Sequence, residues 1–108
     1  MVNIASSGGV GLGSHASPEY AAAKAGLIRF TAALGGRVNC VVPDWILTER
    51  AERELAEMSE AERAAAPEPI PMDAVADAVM RFVTDDSLEG RVIVLNGGEP
   101  SRLLPRSP

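Results

Sequence analysis

The sequence predicts an α/β protein built on a parallel sheet of about three strands, and three of its features lead to that prediction. Short apolar segments at residues 2–6, 37–42 and 91–95 have the length and composition of buried strands. Helical patterns, not tight turns, connect these segments. A helical crossover returns the chain to the same end of a sheet, so the strands are expected to run parallel. Ligands of such sheets bind beyond the carboxyl ends of the strands.

The composition indicates a single small domain. The 108 residues are 46% hydrophobic and 23% charged, which is typical of a globular protein with one core. The net charge of −5 supplies no basic stripe and argues against a nucleic-acid partner. No apolar run reaches the length of a membrane span, and no basic, apolar leader begins the sequence. With one cysteine and one histidine, neither a disulfide nor a metal site is expected, and the cytoplasm is the predicted location.

A glycine-rich loop follows the first strand. Its glycines are Gly8, Gly9, Gly11 and Gly13. A dinucleotide-binding turn needs glycines at i, i+2 and i+5, and no set of three here has that spacing. No Gly-Lys-Ser/Thr follows either, so we interpret the segment as a connecting loop without a phosphate site.

The next element is a helix that begins after Ser17. A serine cap followed by Pro18 and an acidic residue is a common helix start, and Gly35 and Gly36 end the pattern. The stripe of this helix expected to face the sheet comprises Ala23, Leu27, Phe30, Thr31 and Leu34.

Three more helices are predicted between the second and third strands. Thr48 can cap a helix that runs to about residue 58, and Ser59 with Glu62 has the spacing of a capping box. The third, at residues 73–84, is amphipathic. Its inward residues are expected to be Val75, Ala76, Val79, Phe82 and Val83.

The side chains of Tyr20 and Lys24 form the first candidate for chemistry. Four residues apart on a helix, they lie on one face, and an ammonium beside a phenol favours the phenolate. Such a phenol can exchange a proton with a carbonyl or hydroxyl oxygen. The spacing is common among surface helices, so the pair alone is weak evidence. Ser6 and Ser7, at the end of the first strand, add hydroxyl groups that could reach the same oxygen.

Three motifs follow one another along the chain. They are Val-Asn-Ile-Ala-Ser-Ser from residue 2, Tyr-Ala-Ala-Ala-Lys-Ala from residue 20, and Arg-Val-Asn-Cys-Val-Val-Pro-Asp-Trp-Ile-Leu-Thr-Glu from residue 37. In this order they resemble the carboxyl-terminal half of the short-chain dehydrogenase/reductase family. The resemblance implies a partial Rossmann-like, doubly wound parallel sheet over residues 1–98, a substrate lid at residues 44–70 and a loose tail at residues 99–108.

The resemblance also implies an activity and a set of catalytic residues. The expected reaction is NAD(P)-dependent hydride transfer between nicotinamide and a small carbonyl or alcohol substrate. Tyr20 would be the catalytic acid and base, and Lys24 would favour its phenolate and bind the nicotinamide ribose. A serine would hold the substrate oxygen. Ser6 matches by its distance from Asn3 and is preferred, whereas Ser7 matches by its distance from Tyr20.

The implied cofactor, NAD or NADP, would contact Pro43, Ile46 and Thr48 as well as Tyr20 and Lys24. The family's glycine-rich pyrophosphate turn belongs to its amino-terminal half, which has no counterpart in these residues. Asp44 stands where the family usually has glycine, and a carboxylate beside a dinucleotide could repel phosphate.

Three alternatives remain open for the function of the chain. It can be an oxidoreductase, an enzyme completed by a second chain, or a non-catalytic remnant that serves as an interaction module. The first strand is expected to be an open, apolar edge, because its neighbour in the family's sheet belongs to the other half. We therefore expect self-association into a homo-oligomer, or dependence on a complementing chain.

Overall fold

The computed structural model describes residues 1–7, 17–66 and 68–104. The glycine-rich loop lies outside these residues. The elements in chain order are β1 (Val2–Ile4), α1 (Pro18–Leu34), β2 (Asn39–Pro43), α2 (Glu49–Glu57), α3 (Glu60–Ala65), α4 (Met72–Thr84), β3 (Val92–Leu95) and β4 (Arg102–Leu103). Across the described ranges, no helix combines the length and apolar character that crossing a bilayer requires.

The four strands form one open sheet in the order β1-β2-β3-β4. β1 with β2 and β2 with β3 are parallel, so the predicted α/β class is confirmed, and the predicted parallel pairing holds for these three strands. The sheet has four strands where the sequence predicted about three. β4 pairs antiparallel with β3, so part of the tail at residues 99–108 is a strand and not loose. With two residues, β4 is too short to produce a periodic pattern in the sequence.

Helices cover both faces of the sheet, because successive side chains of a strand point to opposite sides. On one face, Val41 and Ile93 pack with Ala78 and Phe82 of α4. On the other face, Cys40, Val42, Val92 and Val94 pack with Leu27 and Ile28 of α1. β2 and β3 are buried along their whole length, which explains their continuous apolar sequences.

The three predicted helix caps are confirmed. The hydroxyl oxygens of Ser17, Thr48 and Ser59 each accept a hydrogen bond from the backbone N–H three residues further on, at 3.1 to 3.2 Å. Each bond satisfies one of the backbone donors that a helix start leaves unpaired. Gly35 ends α1 with a positive φ of 66°, which glycine adopts without strain.

The prediction of the inward helix faces was only partly correct. Leu27 and Thr31 of α1 do face the sheet, and Thr31 is fully buried. Five residues predicted to point inward are exposed instead: Ala23, Phe30, Leu34, Ala76 and Val83. The periodicity of apolar residues predicts which side of a helix faces the sheet, but not how many of those residues the sheet covers. Because this sheet is small, residues at the margins of the predicted stripes stay exposed.

Candidate functional site

A cleft of ≈ 470 Å³ lies at the carboxyl ends of β1 and β2. Its described lining comes from the end of β1, the first turn of α1, the segment after β2 and the start of α2. Most of the predicted site residues meet there: Ser6, Tyr20, Pro43, Ile46 and Thr48. This is the edge of a parallel sheet at which ligands are expected to bind.

Tyr20 enters the cleft from the first turn of α1. Its backbone N–H donates to the Ser17 hydroxyl at 3.2 Å, so the helix cap fixes the position of the tyrosine. The side chain is 45% exposed, which leaves its phenol open to a ligand.

Lys24 lies one turn further along α1. Its Nζ is 5.6 Å from the centroid of the Tyr20 ring, so the two side chains share a helix face as the sequence predicted. The ammonium donates a hydrogen bond to the backbone carbonyl oxygen of Ile4 at 3.3 Å. Lys24 is the one predicted site residue that does not line the cleft, because its ammonium is directed at the edge of β1.

Both candidate serines line the cleft, so the structure brings Ser6 and Ser7 equally to this site. The Ser7 hydroxyl donates to Oδ1 of Asp44 at 2.9 Å. A serine in this arrangement can still accept a hydrogen bond through its oxygen lone pairs.

Asp44 follows directly on the last residue of β2. Its backbone N–H donates to the Leu95 carbonyl oxygen at 2.9 Å, which extends the pairing of β2 with β3 by one bond. The side chain is half-buried and lines the cleft, where its carboxylate accepts from Ser7. Asp44, which stands where the pattern that the sequence resembles usually has glycine, therefore lies inside the site.

The two ends of the predicted lid, residues 44–70, are joined by backbone hydrogen bonds. The N–H of Ile70 donates to the Trp45 carbonyl at 2.6 Å, and the N–H of Leu47 donates to the Ile70 carbonyl at 2.7 Å. Next to this junction, the backbone of Gly97 lies so close to the Glu68 carbonyl oxygen that a Cβ at position 97 would overlap it. The base of the lid is thus held against the end of the sheet.

Three charged side chains are present among the described residues of the cleft. Arg50 and Glu54, one turn apart on α2, form an ion pair with Nε and Oε1 at 3.0 Å. Among the described lining residues, the third charge, on Asp44, has no ionic partner. Nor do the described residues contain a group of three carboxylate, histidine or thiol side chains suited to a metal ion.

Cys40 is fully buried under α1 and takes no part in the cleft. Burial raises the pKa of its thiol, although the backbone of Ala5 and the Thr31 hydroxyl oppose the shift by hydrogen bonding. A thiol in this environment is a packing group and not a nucleophile.

Sequence reasoning missed part of the cleft. It left the environment of Asp44 undecided, and it placed Trp45, Arg50 and Glu54 only within the predicted lid without naming them as site residues. The signal for the α2 residues was present, because a cap at Thr48 places the first two turns of a helix at the mouth of the same sheet edge.

No family model matches the chain, and a search of curated proteins found no match.

Proposed function

We propose that the chain is the carboxyl-terminal half of an oxidoreductase related to the short-chain dehydrogenases, which moves a hydride between a nicotinamide and a carbonyl or alcohol carbon. The observation that supports this most is the meeting of Tyr20 with Ser6 and Ser7 at one cleft, with the Lys24 ammonium 5.6 Å from the tyrosine ring. The presence of α1 and α4 on opposite faces of the sheet is compatible with a doubly wound, Rossmann-like arrangement.

Each residue of the site has a distinct part in the proposed reaction. During reduction, the Tyr20 phenol donates its proton to the substrate oxygen, and during oxidation the phenolate takes that proton back. A serine hydroxyl, from Ser6 or Ser7, donates a hydrogen bond to the same oxygen and stabilises the charge that develops on it. Ser7 can do so only by giving up the bond that it donates to Asp44. Lys24, whose ammonium lies 5.6 Å from the centroid of the Tyr20 ring, would bind the nicotinamide ribose.

The cofactor implied by the resemblance is NAD or NADP, and the cleft suits one end of it. Pro43 and Ile46 offer apolar surface to a flat ring, and Thr48 adds a hydroxyl at the mouth. The described lining does not suit a pyrophosphate, because its one cation, Arg50, is paired and Asp44 is negative. When bound, the cofactor would supply or accept the hydride.

A second possibility is that another chain completes the enzyme, and the state of β1 favours it. The Asn39 N–H donates to the Met1 carbonyl oxygen, and the Ala5 N–H donates to the Val41 carbonyl oxygen. Along a parallel strand, successive residues direct their backbone hydrogen bonds to opposite sides of the strand. The backbone groups of Val2 and Ile4 therefore face away from β2, on the side where a further strand can pair. A strand that pairs at Ile4 would donate a backbone hydrogen bond to the Ile4 carbonyl oxygen in place of Lys24, and the ammonium would then be released from this bond.

Titration calorimetry with NADH and with NADPH tests these proposals. Binding by the chain alone supports the oxidoreductase, and binding only after addition of an amino-terminal half from a related protein supports the completed enzyme. The chain's single tryptophan, Trp45, lines the cleft, so energy transfer to a bound reduced nicotinamide provides a second readout. Failure of both nucleotides in both settings would leave an interaction module. A cytoplasmic location belongs to the same proposal.

A variant of the acid–base residue separates chemistry from binding. Tyr20→Phe should abolish turnover and leave cofactor affinity within about twofold, because only the phenol oxygen is lost. Phe30→Leu is the matched control, since it changes an exposed aromatic residue of the same helix away from the cleft. Unchanged turnover in Tyr20→Phe would refute the role given to the phenol.

A further inference from the structure

The cleft has an unbalanced charge. Among its described lining residues, the Arg50 guanidinium is neutralised by Glu54, whereas the Asp44 carboxylate is bonded only to a neutral hydroxyl. The neighbouring cation, Lys24, directs its ammonium at a backbone carbonyl and is not part of the lining. The described wall of the cleft therefore carries a net negative charge at the end of β2.

Two aromatic side chains line the same cleft as this charge. Tyr20 and Trp45 both line the cleft, one from α1 and the other next to Asp44 in the chain. The face of an aromatic ring attracts a cation, and the attraction adds to that of a carboxylate when both border a partly desolvated space. The Lys24 ammonium already lies over the Tyr20 ring, so the Asp44 carboxylate and the Trp45 ring are the groups of the lining that suit an alkylammonium group.

We propose that Asp44 selects substrates by charge, and that the cleft takes a small molecule that carries an ammonium group near its alcohol or carbonyl carbon. The ammonium lies against Asp44 and the Trp45 ring, and the oxygen lies at Tyr20 and the serines. The assignment of a substrate rests on the proposed oxidoreductase function, whereas binding of the ammonium group depends only on the cleft.

Fluorescence of Trp45 measures this preference without turnover, because it is the single tryptophan and lines the cleft. The probes are choline and its uncharged analogue of the same shape, 3,3-dimethylbutan-1-ol, with 3,3-dimethylbutanoate as the anion. We expect choline to bind at least about tenfold more tightly than the neutral alcohol at low salt, and the anion to bind most weakly. The advantage of choline should fall as salt is added.

Two variants with the same change of net charge locate the effect. Asp44→Asn should remove the preference for choline. Asp77→Asn, at an exposed position of α4 that lines a separate cleft, should retain it. Far-ultraviolet circular dichroism shows whether each variant is folded, and the order of the three probes on the unaltered chain tests the proposal without any variant.

Equal affinity for choline and the neutral alcohol would overturn the proposal. So would a fluorescence signal that responds to neither, a preference that survives in Asp44→Asn, or an equal loss in Asp77→Asn. These outcomes differ from failure of the proposed function. A cation preference without nicotinamide binding would overturn only the oxidoreductase, and nicotinamide binding without a cation preference would overturn only the selection by charge.

Discussion

Asn39 connects the start of β2 to the turn before β3, and its removal should cost a large part of the stability of the fold. The side chain is 4% exposed. Its Nδ2 donates to the Leu88 carbonyl at 3.0 Å, and its Oδ1 accepts from the Arg91 N–H at 2.9 Å. Asn39→Ala leaves both backbone groups without these partners, at about 1–3 kcal/mol for each unsatisfied buried group. We expect the free energy of unfolding to fall by about 3 kcal/mol, against a total of roughly 5–15 kcal/mol for a domain of this kind.

Urea unfolding, followed by circular dichroism and by Trp45 fluorescence, measures this loss. With a slope of about 1.5 kcal/mol per molar urea, the midpoint should fall by about 2 M. Asn3→Ala is the matched control, because Asn3 is only half-buried and donates one longer bond, to Thr31 Oγ1 at 3.3 Å. It should cost about 1 kcal/mol or less. If Asn39→Ala is no more destabilising than Asn3→Ala, the account of the buried bonds is refuted.

Three further predictions concern backbone packing and ionisation. Gly97→Ala should lower the melting temperature because its Cβ overlaps a backbone carbonyl, whereas Gly26→Ala, in α1 with no atom within 4 Å, should stabilise by about 0.5–1 kcal/mol; equal melting temperatures would contradict both. The raised pKa of Cys40 predicts slow modification by a disulfide reagent at pH 8 compared with the urea-unfolded chain. The same shift predicts that the contribution of Cys40 to the free energy of unfolding is fully present below the ordinary thiol pKa of 9.0 and falls as pH rises above it. Equal modification rates in the folded and unfolded chain would refute the protected state of the thiol. Hydrogen bonds from the side chain and backbone of Ser87 lower the pKa of Asp85, so their stabilisation is present above the ordinary carboxyl value and is lost on acidification. Ser87→Ala should raise the carboxyl midpoint in a carbon-13 NMR titration, and an unchanged midpoint would argue against this cause.

The elements of the fold were predictable where local chemistry dictates them. Serine and threonine caps mark the helix starts because their oxygens satisfy backbone donors within three residues. β2 and β3 were visible as apolar runs because they are covered on both faces. By contrast, β4 and the junction of Ile70 with the segment after β2 depend on partners far away in the sequence and leave no periodic signal.

The candidate site was predictable in its main residues but not in its electrostatics. The resemblance indicated Tyr20 and the serines, which do share a cleft. That Asp44 would turn into this cleft and bond to Ser7 could not be read from the sequence, since the contact joins residues 37 positions apart. The same holds for Lys24, whose bond to Ile4 depends on how α1 lies across the end of β1.

The bond between Lys24 and the Ile4 carbonyl has a consequence for mutagenesis of this chain. One ammonium occupies a hydrogen-bond acceptor at the sheet edge and also lies within reach of the tyrosine ring. Replacing Lys24 exposes the unpaired edge of β1, along which strands of different chains can pair and form fibrils. This effect comes in addition to any loss of catalytic activity. A drop in specific activity in a Lys24 variant therefore confounds catalysis with solubility, and turbidity or light scattering has to be followed in the same samples.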